Sequence, residues 1–191
     1  MRTTRGIFTL IAALAGLAML IAGPIMIFQG FNGQSQIRTE LSAQKIVFPP
    51  AGSESLPAAL KGYAGQSVTT GPQAKAYSDL VETHVLAATS GQTYSQVSGT
   101  YQAMTDKTSA AALKLSGLRQ TAFMGESLRG SLLGAYQAWE VTLLVIGLGA
   151  LVTGLGIVMF AAAAVTRPRK IAVPNSPEAL AVRQEPALNV R

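Results

Sequence analysis

The chain has 191 residues, of which 49% are hydrophobic and only 13% charged, with mean hydropathy +0.33 and a formal net charge of +6. A soluble globular domain carries about 25% charged residues, so this composition points toward lipid. Cysteine is absent and His84 is the only histidine, which excludes thiolate nucleophiles, CxxC redox chemistry, disulfide frameworks and any metal or catalytic centre needing two imidazoles.

Residues 1–6 form a short basic start containing Arg2 and Arg5. From Ile7 to Phe28 there are 22 residues without a charge, enough at about 1.5 Å per residue to cross a hydrocarbon core of about 30 Å. This run exceeds the roughly 7–15 residues of a signal-peptide core. Pro24 and Phe28 mark its end where a cleavage site would need small residues, so it reads as an uncleaved signal anchor. Ser35 to Gln44 is compatible with helix, and Ile46–Phe48 reads as a short strand or extended chain, because Pro49 pushes its predecessor out of the helical region. Residues 49–58, rich in proline, glycine and serine, predict a surface loop.

Gly71-Pro72 then opens an amphipathic helix with Ala74, Tyr77, Val81, Val85 and Ala88 on one face, ending near Ser90-Gly91. A shorter helix from Thr93 carries Tyr94, Val97 and Tyr101 and depends on packing for its stability. From Ser109 no proline occurs until Pro168, and Ala110, Leu113, Leu118, Ala122 and Leu128 keep a helical rhythm. One long helix is therefore predicted to run into a second span, Val141 to Val165, whose 25 residues are uncharged. Residues 166–191 contain four prolines and predict a disordered cytoplasmic tail.

The fold class expected is all-α, an integral membrane protein with two transmembrane helices, 7–28 and 141–165, and a mainly helical extracytoplasmic domain, 29–140, inserted between them. Basic residues near span ends favour the cytoplasm. Arg2 and Arg5 precede the first span, and Arg167, Arg169 and Lys170 follow the second, whereas Arg38 and Arg129 stand about ten residues from the opposite ends. Both termini are thus expected to be cytoplasmic, in a plasma membrane. The basic balance is a topology signal, and no Lys/Arg stripe interleaved with aromatics suggests nucleic acid.

Several positions are candidates for interaction. Small residues recur four apart at Ala12 and Gly16, Ala18 and Ala22, and Ala150 and Gly154, with Gly130, Gly134 and Ala138 below the second span. Such faces allow close backbone approach in lipid, either between the two spans or against a partner or second copy. Gly125, Glu126, Arg129 and Gly130 form a GESLRG segment near the membrane, in which Arg129 could take lipid headgroups or a partner's carboxylate. Tyr136, Trp139 and Glu140 are expected as a membrane-interface anchor. His84 has no second ligand at i+4, so no metal site is expected. No GxSxG, Walker loop or paired-carboxylate motif appears, and no catalytic or cofactor-binding residue is assigned.

Four strings occur in order: Tyr63-Ala64-Gly65-Gln66; Ala74-Lys75-Ala76-Tyr77; Gly91, Thr93, Tyr94, Val97 and Ser98; and Phe123, Gly125, Glu126, Leu128, Arg129, Gly130, Leu132 and Leu133. Together they resemble a family of actinobacterial two-span membrane proteins whose members often carry the label aromatic ring-opening dioxygenase LigA. The similarity spans roughly residues 10 to 160. It implies two spans around a helical extracytoplasmic domain. Extradiol ring opening would require Fe(II) held by imidazole and carboxylate ligands, which a lone His84 does not supply, so no catalytic residue carries over.

The function expected is therefore non-enzymatic: an interaction or scaffold protein, or an accessory subunit of a membrane or cell-envelope complex, with membrane lipid and a membrane protein or a second copy as partners. The alternative is an extracytoplasmic lipid or small-molecule binder whose apolar pocket is lined by Tyr63, Tyr77, Tyr94, Tyr101 and Phe123.

Overall fold

A computed structural model describes residues 2–166, with side chains from residue 6 onward. The expected tail with Arg167, Arg169 and Lys170 lies outside the described residues, as do the side chains of Arg2 and Arg5. The described chain is helical: α1 (Arg2–Ala43), a 3-10 turn (Ala58–Tyr63), α2 (Gly71–Ala88), α3 (Tyr94–Ala103) and α4 (Ala110–Val165). Within it, extended structure is confined to an isolated antiparallel bridge between Val47 and Ser67. That bridge is what the Ile46–Phe48 segment becomes. Phe48 N–H donates to Gln66 O and Val68 N–H to Ile46 O, both at 2.9 Å.

α1 has 42 residues and α4 has 56, so at 1.5 Å per residue they reach about 63 and 84 Å, roughly two and three times a hydrocarbon core. Both are long and apolar enough to cross a membrane. Pro24 does not end α1, which continues through it. Proline removes a backbone donor, and neighbouring helices make this tolerable in spanning segments. No break separates residues 28 and 29 or 140 and 141, so each apolar stretch passes directly into the rest of the molecule. α1 ends where Lys45 adopts a left-handed conformation (φ 52°).

The two long helices run antiparallel along a seam of small residues spaced seven apart. Gly16, Gly23 and Gly30 of α1 meet Gly156, Gly149 and Thr142 of α4. A Cβ placed on Gly23 would stand 2.7 Å from Gly149 O and 2.8 Å from Thr153 N, and one on Gly16 2.9 Å from Phe160 N. A seven-residue repeat matches 3.5 residues per turn, which keeps one face in register along a left-handed crossing. Dispersion between closely approaching backbones is the association force that remains in lipid.

At the opposite end from the seam, α2 and α3 pack on the first half of α4. Thr70 and Thr93 begin them with capping boxes, each hydroxyl accepting from the backbone N–H of Gln73 or Gln96 and each Gln side chain returning to the cap's N–H. Ser109 caps α4 by accepting from Ala112 N–H. Leu41, Phe48, Leu56, Val68, Ala74, Leu80 and Leu132 form the core. Phe48 lies at its centre, stacked on Tyr63 and edge-on to Tyr77 with ring centroids 5.1 Å apart in both pairs.

Candidate functional site

The GESLRG segment falls on α4 where α2 crosses it. Gly125 is the contact point: a Cβ there would stand 2.2 Å from Val85 Cγ2, so glycine lets α2 lie close. One turn further, Arg129 bridges the two helices. Its guanidinium donates to both oxygens of Glu126 (3.0 and 2.9 Å) and pairs with Glu82 of α2 at 2.8 Å. The Arg129 side chain is only 18% exposed, and its Nε is buried without a hydrogen-bond partner. Arg129 is thus committed to carboxylates of its own chain. Glu82 could not be paired with it from sequence, since the contact crosses between two helices and joins residues 47 apart in the chain.

The other expected positions separate into distinct environments. Gly16 lies in the α1–α4 seam. Gly130, Gly134 and Gly154 have open space where a Cβ would be, so none of them faces another described part of the chain. The seam residues Gly23, Gly30, Gly149 and Gly156 were missed because the sequence reading took spacings of four, whereas the packed glycines recur at seven. Trp139 is buried at 9% exposure. Gly71, the first residue of α2, sits so close that a Cβ on it would meet Trp139 Cβ at 2.4 Å. Trp139 therefore serves as a buttress for α2, with most of its surface covered by the protein itself, while Tyr136 is half-buried and Glu140 exposed.

The five aromatics expected to line a pocket lie in three places. Tyr63 and Tyr77 flank Phe48 in the core, Tyr94 pairs with Phe123 at 5.8 Å, and Tyr101 lies under the cations of Lys107 and Arg119. His84 is exposed, its Nε2 lying 2.8 Å from Ser55 O. Among the described residues no group of three or more His, Asp or Glu side chains converges. Asp106, in the turn before α4, is held below the usual carboxylate range, first by the Thr108 hydroxyl and then by the Thr108 N–H.

A cavity of 530 Å³ opens elsewhere, between the last turns of α1 and residues 128–135 of α4. Ile37, Leu41, Ile46, Leu128, Leu132 and Ala135 give it an apolar floor, and Gln36, Glu40, Gln44 and Ser131 a polar rim. It exists because α1 ends near the level of residue 129 while α4 continues. Past that end, α4 exposes Leu113 (64%) and Met124 (60%) with no helix over them.

No family model, curated protein or solved structure matches the chain. The site's chemistry therefore has to be argued from its own residues. Its features are an internal ion-pair bridge, an apolar groove with a neutral-to-acidic rim, and an uncovered helix face.

Proposed function

We propose that the chain is a non-enzymatic two-span protein of the plasma membrane, with both termini cytoplasmic and residues 29–140 extracytoplasmic. In this reading it acts as a scaffold or accessory subunit of a membrane or cell-envelope complex. One observation carries the reading: α1 and α4 run without a break from their apolar stretches into the α2–α3 layer, held by a backbone-to-backbone glycine seam. A domain joined to its spans by two continuous helices is fixed in height and orientation, which suits a docking platform and serves a diffusing enzyme little. The sequence supports the same reading, with no cysteine and one histidine in 191 residues.

The test is to express the tagged chain in its native type of host, crosslink briefly, solubilise mildly and identify what co-purifies. A stoichiometric membrane or envelope protein, or a second copy, is the expected result. A chain recovered alone as a monomer across mild detergents refutes the proposal.

The 530 Å³ groove favours a second reading, in which an amphiphile lays its tail over Ile37, Leu132 and Ala135 and its head against Glu40 and Gln44. Native mass spectra of the purified chain decide it. Bound lipid retained by the parent and lost in Ala135→Trp supports this reading, and equal retention in both rejects it.

A further inference from the structure

The groove between the last turns of α1 and residues 128–135 of α4 combines an apolar floor with an unpaired acid at its rim. The floor is the protein's own core: Leu41 and Leu132 are 6% and 2% exposed, and Ile37, Ile46 and Ala135 pack against the same cluster. The antiparallel register that sets Gly23 beside Gly149 continues beyond the seam and brings Glu40 level with Leu132. The volume, 530 Å³, falls in the range of roughly 300–1,000 Å³ that small-molecule sites occupy.

Gln36, Glu40 and Gln44 stand four apart along one line of α1, a length of about 12 Å at 1.5 Å per residue. Glu40 is the only charged residue that lines the groove. Among the described residues the acids of α2 and of the GESLRG segment are engaged, Asp79 by Lys75 and both Glu82 and Glu126 by Arg129. The Glu40 carboxylate, by contrast, has no ion pair or hydrogen bond among them. Arg38, two positions away, stands about 200° round the helix from it. On the α4 wall, Ser131 already donates its hydroxyl proton to Ser127 O at 3.1 Å, so toward the groove it can only accept. An ionised carboxylate likewise only accepts. Acceptors therefore face the groove from both walls.

We infer that the groove binds a primary alkylammonium amphiphile, its chain on the Leu41 and Leu132 floor and its head between Glu40 and Ser131. This deepens, and rests on, the reading of the groove as an amphiphile site. An ammonium brings three donors and no acceptor, which complements those walls, and its charge is opposite to that of Glu40. A phosphate or carboxylate head would bring a like charge to Glu40, with no lining cation to offset it. The source is the bilayer that both long helices are read as crossing. Ala135, at the groove's lower edge, is six residues from Val141, about 9 Å at 1.5 Å per residue, and a polar layer of about 5–8 Å covers each face of the hydrocarbon. A chain therefore rises only a few ångströms out of the headgroup layer to enter the groove.

The test places the full chain in phosphatidylcholine nanodiscs with one of two photoreactive dodecyl probes, a primary amine or the carboxylate of the same chain. Adducts are mapped by peptide mass spectrometry and normalised to those on Val141–Val165. The expected result is that the amine labels segments 36–46 and 128–135 about fivefold more than the carboxylate does, the upper end for one partly exposed ion pair. Glu40→Gln should remove that preference and Glu40→Lys should reverse it. Because Glu40 is exposed and unpaired, both variants should keep the parent's unfolding midpoint. Equal labelling by the two probes, or a preference that survives Glu40→Gln, overturns the ammonium inference while leaving the groove as an amphiphile site. Labelling that is absent from both segments with either probe, or that Ala135→Trp leaves unchanged, defeats that reading as well.

Discussion

Replacing Gly23 by alanine tests whether the seam between α1 and α4 holds the molecule together. The added Cβ would lie 2.7 Å from Gly149 O and 2.8 Å from Thr153 N, whereas ordinary contact begins at 3.4 Å. Both obstacles are backbone, which cannot rotate away as the Thr153 hydroxyl can. The helices must therefore part by about the difference between 2.7 and 3.4 Å. A gap of 0.5–1 Å forfeits roughly a quarter to a half of each dispersion contact it opens, and the rigid helices spread that loss to Gly16 and Gly30. Overpacking of this kind costs about 1–3 kcal/mol, offset by up to about 1 kcal/mol from alanine's better helix propensity. Gly154→Ala is the control, because nothing lies within 4 Å of its added Cβ, and it should be neutral or stabilising by up to about 1 kcal/mol. The expected outcome is that Gly23→Ala is less stable than Gly154→Ala by about 1–3 kcal/mol in mixed-micelle unfolding. Gly149→Ala, blocked by Gly23 O at 2.7 Å, should resemble Gly23→Ala. Equal stability of Gly23→Ala and Gly154→Ala would refute the seam.

Further outcomes follow from single contacts. Trp139, the only tryptophan, should emit at short wavelength and resist iodide, and Gly71→Ala should shift its emission to the red; free quenching of the parent chain contradicts its burial against α2. Arg129→Ala and Glu82→Ala should each cost about 1 kcal/mol and be non-additive in a double-mutant cycle, whereas strict additivity would remove the α2–α4 bridge. Thr70→Ala should lower stability by about 1 kcal/mol through loss of the α2 cap, read by thermal unfolding, and an unchanged midpoint would count against that cap. For Asp106, whose folded pKa lies below 3.8, the stabilising contribution is present above the unfolded value and is lost as pH falls through the folded one. The difference in midpoint between the parent and Asp106→Ala should therefore be steady near neutral pH and shrink below pH 3.8, and a difference that stays constant into strong acid would contradict it.

What could be read from the sequence is what depends on neighbours along the chain. The absence of proline after Ser109 predicted α4 running into the second apolar stretch, and Gly71-Pro72 marked the start of α2, because both are local effects of backbone geometry. What could not be read from it are contacts between distant segments. Trp139 was assigned to the headgroups from its position beside an apolar run, but the residue that decides its environment is Gly71, on another helix. Tyr63, Tyr77, Tyr94, Tyr101 and Phe123 share helical spacing within their own segments, yet α2 and α3 meet different parts of α4 and divide them among the core, a surface pair and a cation contact. The groove was invisible for the same reason, since it depends on where α1 stops relative to α4.

The glycine spacing shows how the right kind of contact can be assigned to the wrong residues. Spacings of four and of seven both occur in α4, and a straight helix places them on different faces: Gly149 and Gly156 turn toward α1, while Gly154 turns away. Only the seven-residue set has counterparts at the same period on α1, Gly16, Gly23 and Gly30, so only that set can close a long antiparallel pair within one chain. The four-residue set, Gly130, Gly134 and Gly154, meets no other described residue. A helix of 56 residues therefore divides its circumference by period: the seven-residue set goes to α1, and the residues around Gly125 and Trp139 go to α2.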